Sequence, residues 1–342
     1  MFDVNVEGFS VLKKPIYSVR IGKGPIKLLM WSQMHGNEST TTKSLFDVFN
    51  VLKDSPDKTV KKILESFSIV ALPMLNPDGA EFYTRHNANE IDLNRDASDL
   101  SQPESKVLRS IFDEFKPDFC FNLHGQRSIF SAGKRNNPAI LSFLAPAQDK
   151  NYSITSNRKV AMDLIGRIHD ALKIVIPEQM GIYDDTFNAS CVGDTFQALG
   201  IPTLLLEAGH FPEDYQRETT RELMFKVLLL GLDIIRSSSD LGSHHKFYFE
   251  IPLNEKLFRD IIIRNVLING DVRDIVIQYE EVLKNEIIEF SPKIESIDSN
   301  VKLYGHREID ANFKSMEASS ELSVGNEIVY VTMNNEKFSL LA

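Results

Sequence analysis

The sequence predicts an α/β fold followed by a small β-rich unit, and three observations carry that prediction. Between residues 26 and 236, short apolar runs alternate with longer amphipathic ones, the pattern of strands joined by crossover helices. At Ser237, Ser238 and Ser239, followed by Asp240, Gly242 and Ser243, the composition turns to a short polar linker. Beyond the linker, segments such as IIEFSPKIESI and EIVYVTM alternate apolar and polar residues in short bursts, as in a small β structure. The expected organisation is therefore a first domain over 1–238 and a β-rich domain over 239–342.

Taken in order, the runs at 26–34, 67–75, 118–123 and 203–208 read as buried strands, being apolar without strict alternation. The stretches 39–53, 103–115, 158–174 and 213–236 carry helical periodicity, with Pro103 placed to open one helix after Ser101 or Gln102. After the linker, FYFEIPL precedes one expected helix near 254–264 and then the short strands.

Composition narrows the function classes. The 342 residues are 42% hydrophobic, enough for a packed core, and carry a formal net charge of -10. Such a surface repels nucleic acid and anionic membranes, so neither is expected as a partner. The first residues lack an apolar run of signal-peptide length, no stretch reaches the length of a membrane helix, and the expected location is the cytoplasm. Cys120 and Cys191 sit in core-like surroundings and are expected as free thiols. The sequence leaves the oligomeric state open.

The chemistry concentrates at strand ends, where open α/β sheets keep their ligands. His35-Gly36-Asn37-Glu38 follows the first strand and precedes a helix, so an imidazole and a carboxylate can face one cation. That spacing alone is ordinary: His210-Phe-Pro-Glu213 shares it. His124, in FNLHGQ, ends another strand and would complete three ligands, leaving one position of a tetrahedral zinc open for water. Glu207, in LLLEAGH, ends a third and suits a general base beside that water. The loop segment with Asn76-Pro-Asp-Gly79, Arg85-His-Asn87 and Asp92-Leu-Asn-Arg-Asp96 reads as a donor-rich patch suited to a carboxylate and an oxyanion.

This ordered set, HGNE, NPDG, R-x-N, DLNR, LHG and a late LLLEAG, resembles the zinc carboxypeptidases of the M14 class, a superfamily that includes the aspartoacylase and succinylglutamate desuccinylase branch. The resemblance covers residues 26–236 and implies a mixed sheet of about eight strands flanked by helices. It also implies one zinc per chain, held by His35, Glu38 and His124, with Asp92 orienting the ring of His35. Asn94 and Arg95 would grip the substrate's terminal carboxylate, and Arg85 would stabilise the oxyanion. Glu207 would be the base that later hands its proton to the leaving amine. The activity implied is hydrolysis of the C-terminal amide bond of a peptide or peptide-like substrate.

Two departures from the family pattern stand out. Where the family carries a mobile tyrosine over the substrate, an alignment on FNASCVGD places Phe187, with Tyr183 four residues earlier as the substitute. The first metal motif begins at residue 35, which leaves little room for an inhibitory pro-segment and suits an intracellular processing or recycling enzyme. The specificity pocket is expected around Gly193 and Asp194, with Cys191 as pocket wall rather than nucleophile. The alternative within the superfamily is a deacylase of N-acyl amino acids, which the appended β-rich unit suits and the intact NPDG and R-x-N motifs oppose. A non-catalytic relic of the fold would have lost a ligand, Glu207 or Arg85, and all are present.

Overall fold

A computed structural model describes residues 2–342. Its first nine strands are β1 (Phe2–Phe9), β2 (Pro15–Gly22), β3 (Ile26–Ser32), β4 (Phe67–Leu72), β5 (Phe119–Gly125), β6 (Ser131–Ala132), β7 (Leu141–Leu144), β8 (Met180–Ile182) and β9 (Thr203–Ala208). All but β6 join one mixed sheet of eight strands in the order β1-β2-β4-β3-β5-β9-β7-β8. Its centre, β4-β3-β5-β9, is parallel throughout, so the ends of these four strands open on one edge.

Helices cover both faces: α1 (Thr40–Asp54), α2 (Lys58–Ser66), α3 (Pro77–Phe82), α4 (Pro103–Phe115), α5 (Ser156–Leu172), α6 (Val192–Ala198) and α7 (Glu218–Ser237). Strand β3 shows why its run is apolar without alternation. Leu28 and Met30 point into one core, Leu29 and Trp31 into the other, and all four are buried. On the second face Phe196 stacks on Phe112 at 3.9 Å between ring centroids and meets Trp31 edge-on at 5.3 Å. Pro103 opens α4 as the sequence predicts. Helix α7 starts at Glu218, later than its periodicity suggests, because the Asp214 carboxylate accepts from the backbone N–H groups of Glu218, Thr219 and Thr220 and fixes its first turn.

The later strands are β10 (Asn254–Glu255), β11 (Phe258–Ile268), β12 (Asp271–Lys284), β13 (Ile287–Asp298), β14 (Tyr304–Asp310), β15 (Glu317–Ala318), β16 (Tyr330–Met333) and β17 (Glu336–Ser339). They form a four-stranded sheet, β13-β12-β11-β14, and a three-stranded one, β15-β16-β17, around a separate core. The helix expected near 254–264 is instead β10 and most of β11. Three consecutive β-branched residues, Ile261, Ile262 and Ile263, favour a strand. A register shift between Ile263 and Val266, with Asn265 at positive φ, breaks the alternation that would have revealed it. Tyr248 and Ile251 lie in the first core, and the Ala145 N–H donates to the Tyr248 hydroxyl, so we place the border between the units near Leu257.

Loop packing at the strand ends explains two motifs. A Cβ on Gly36 would stand 1.9 Å from the backbone carbon of Gly79, so the turn after β3 rests directly on the start of α3. Asn76 closes the same contact: its Oδ1 accepts from the Gly79 N–H at 2.9 Å and its Nδ2 donates to the Met34 carbonyl at 3.2 Å. Asp78, fully buried, accepts from the Ser10 hydroxyl and the Leu12 N–H. NPDG is therefore scaffolding for the turn that carries His35 and Glu38.

Gly36→Ala must push these two backbones apart. The expected cost is about 1–3 kcal/mol of unfolding free energy, read by urea denaturation. A parallel loss of bound metal is expected in equilibrium dialysis, because the two flanking ligands move with the turn.

Candidate metal centre and active site

Three strand ends build the site. Residues beyond β3 carry His35 and Glu38, β5 carries His124, and β9 carries Glu207, which is the direct register partner of His124. Paired positions in a sheet project to the same face, so this register sets the Glu207 carboxylate beside the His124 ring. Asn122, two residues before His124, shares that face and is buried.

His35, Glu38 and His124 each offer a ligand atom, all within 4.8 Å of one another. His35 Nδ1 lies 2.8 Å from Glu38 Oε1, His124 Nδ1 lies 3.0 Å from Glu38 Oε2, and the two Nδ1 atoms are 3.2 Å apart. Nitrogens each about 2.0 Å from a tetrahedral zinc stand about 3.3 Å apart, so the pair fits opposite ends of one tetrahedral edge. The tautomers suit as well. His35 Nε2 faces Asp92 Oδ1 at 3.1 Å, which places its proton on Nε2 and leaves the Nδ1 lone pair toward the cluster. Burial keeps His124 below its ordinary pKa, in the neutral form that binds metal. His35 is raised, since its hydrogen bonds with Asp92 and Glu38 outweigh burial. Burial also opposes ionisation of Glu38, yet hydrogen bonds from His124 and His35 hold its carboxyl well below the usual range. The nitrogen and oxygen donor set, neutral on one ring and anionic on the carboxylate, fits a zinc ion.

Asp92 does more than orient a ring. Its Oδ1 caps the short 3-10 turn Leu93–Arg95 through the Asn94 N–H at 2.8 Å, and its Oδ2 receives Arg85 at 3.0 and 3.2 Å. Burial works against its charge, but His35 and Arg85 keep the carboxyl ionised. Arg85 also reaches Glu38 Oε1 at 3.4 Å, so it faces the cluster from the Asp92 side. Glu207 Oε2 is buried with no hydrogen-bond partner among the described residues. Burial and then the nearby Glu38 charge push its pKa well up, the condition of a carboxylate ready to hold a proton.

The cluster opens into a cleft of about 560 Å³ lined by every expected site residue except Asp92. Arg95 is at its rim, and Asn94 Oδ1 accepts from the Val192 N–H at 3.2 Å, tying the DLNR turn to α6. Tyr183 lines the cleft with its hydroxyl donating to Gln126 Oε1 at 2.7 Å, whereas Phe187 is not part of the lining. Asn76 and Asn87, read from sequence as part of a donor patch, are turned inward instead. Asn87 Nδ2 donates to Gln102 Oε1 and Glu104 Oε2. Cys191 is cleft wall, its thiol pushed up to about 11 by burial, and both cysteines are free.

Several cleft residues have no role assigned from the sequence. Gln126 could have been found, since it stands two positions past a ligand. Asp194, raised by burial to about 6, was placed in the pocket without a role. Lys256 reaches the cleft from a distant segment. Arg217, at positive φ before α7, donates to the Gln126 carbonyl at 2.8 Å.

Residues 3–160 match the zinc carboxypeptidase family, peptidase M14. The probable carboxypeptidase 2 of Arthroderma benhamiae is 32% identical over 114 residues, 33% of this chain and 21% of that protein. Among solved structures, a metallo-carboxypeptidase from Burkholderia cenocepacia shares the fold with a TM-score of 0.54 at 17% identity, covering 68% of this chain and 65% of that one. Carboxypeptidase A from Helicoverpa armigera gives 0.56 at 16% identity, covering 70% and 69%. The match thus spans about a fifth of the length of the curated relative. The motif resemblance is borne out at the level of class: a zinc carboxypeptidase domain match on a metallocarboxypeptidase fold.

His124→Ala removes the candidate ligand that bridges the β3 turn to β5. Zinc content by elemental analysis should fall from near one per chain to near zero, with the fold retained by circular dichroism; full metallation would place the third ligand elsewhere.

Proposed function

We propose that this protein is a zinc-dependent metallocarboxypeptidase that hydrolyses the C-terminal amide bond of peptides or peptide-like substrates. The observation that carries the reading is the register of His124 against Glu207, which sets a partnerless carboxylate beside a three-ligand cluster inside one cleft. The zinc carboxypeptidase match and the similarity to carboxypeptidases support the same class.

His35, Glu38 and His124 would hold the zinc, which when bound supplies Lewis-acid polarisation of a water and of the scissile carbonyl. Glu207 takes a proton from the attacking water. The water oxygen bonds to the carbonyl carbon, and Arg85 stabilises the negative charge that develops on the carbonyl oxygen. Glu207 then passes its proton to the amide nitrogen as the C–N bond breaks, so that a free amine and a new carboxylate leave. Arg95, with Asn94 beside it, grips the terminal carboxylate through a guanidinium fork that a lysine could not offer. Tyr183, anchored to Gln126, covers the substrate from the far side of the cleft.

The test offers purified, zinc-loaded protein a mixed peptide library together with N-acyl amino acids. Stepwise loss of C-terminal residues, abolished by chelator and restored by zinc, is expected; release of acyl groups alone would transfer the protein to the deacylase reading. Glu207→Gln should keep its zinc and lose about 10²–10⁴ in kcat. Near-normal turnover in that variant would remove Glu207 from its role. Arg95→Ala should raise KM for free-acid peptides far more than for their amides.

A further inference from the structure

The cluster has a second opening. Glu38, Arg85, Gly125, Gln126 and Arg127 line both the main cleft and an adjoining one of about 210 Å³. The far wall of this second cleft comes from the β-rich unit: Glu281 on β12 and Ile288 and Phe290 on β13. A third cavity of about 310 Å³ continues between the two units, and Arg127 lines all three. Asn94, Arg95, Asn188 and Asp194 line the main cleft and are absent from the other two, so the carboxylate grip lies away from this opening. A substrate gripped there through its C-terminal residue therefore sends its acyl portion, on the other side of the scissile carbonyl, toward Arg127.

The charge of the second cleft is one-sided. Lys43, Arg85, Arg127 and Arg217 face Glu38 and Glu281. The other charges have partners: Lys43 pairs with Glu218, Arg85 with Asp92 and Glu38, and Arg217 with three backbone carbonyls. Glu281 accepts from the Tyr83 hydroxyl and lies 3.7 Å from Arg217. Arg127 alone of these makes no hydrogen bond or ion pair among the described residues, and it is exposed at the junction. A guanidinium fork left unengaged in a cleft that apolar Ile288 and Phe290 also line matches an acidic side chain whose methylene stem lies on that apolar wall.

We propose that the second cleft is an acyl-side specificity site in which Arg127 selects substrates bearing a carboxylate on the residue before the cleaved bond. This rests on the hydrolase reading above and extends it to a substrate class. The β-rich unit thereby contributes directly to specificity through the wall that orients the acidic side chain.

The experiment compares kcat/KM for two N-acetylated dipeptides that share the best C-terminal residue from the library and differ only in glutamate or glutamine before it. With zinc-loaded wild type, the glutamyl substrate should be favoured by about two- to fivefold, the scale of one exposed charge pair. In Arg127→Gln that ratio should fall to about 1, and Arg127→Lys should recover part of it. Added salt should shrink the wild-type ratio and leave that of Arg127→Gln unmoved. Wild type that cleaves both substrates equally, or an Arg127→Gln variant that keeps the full preference, overturns this inference alone. No cleavage of either substrate or of the library overturns the hydrolase reading and this inference with it.

Discussion

The approach of Gly36 to Gly79 is the contact on which the site depends. Backbone meets backbone there with no room for a Cβ, and the turn after β3 is thereby pressed against the start of α3. That turn holds two of the three candidate ligands, while the third comes from β5, whose position is fixed by hydrogen bonds to β3 and β9. A metal site tolerates ligand misplacement of only a few tenths of an ångström. One ligand therefore comes from a rigid strand, and the two on a loop are made nearly as rigid by a glycine contact and by Asn76, which bonds to both sides of it.

The parallel strands were legible because both their faces are buried, which turns each into an unbroken apolar run, and the candidate ligands were legible because they stand at the ends of those runs. The pairing of Asp92 with His35 was legible only through family resemblance, and nothing in the spacing announces that Arg85 would brace Asp92. The asparagines misled: Asn76 and Asn87 look like substrate donors in the sequence and are internal struts in the fold.

The β-rich unit was read less well, and the reasons are physical. A run of three isoleucines followed by a register shift carries neither clean alternation nor a helical face, so β11 hid behind a helical reading. Tyr248 and Ile251 lie beyond the serine-rich linker yet pack into the first core, because a polar linker marks a change of composition and not the point where burial changes partner. Arg127 and Arg217 acquire their surroundings only when Glu281 and Phe290, far along the chain, are brought alongside.

The two units are joined on several sides of the cleft. The His306 ring bonds to the Ser128 carbonyl at 2.7 Å, Gln278 donates to the Ser128 hydroxyl, and Tyr83 bonds to Glu281. A joint pinned at separate points resists rotation as a door fixed on two edges resists swinging. Wide opening about a hinge would break several of these bonds together, so the low-energy motions left to the cleft are those of single side chains at its rim. The Tyr183 to Gln126 hydrogen bond is one such latch. Side chains of that kind change rotamer on a timescale far shorter than that of domain movement.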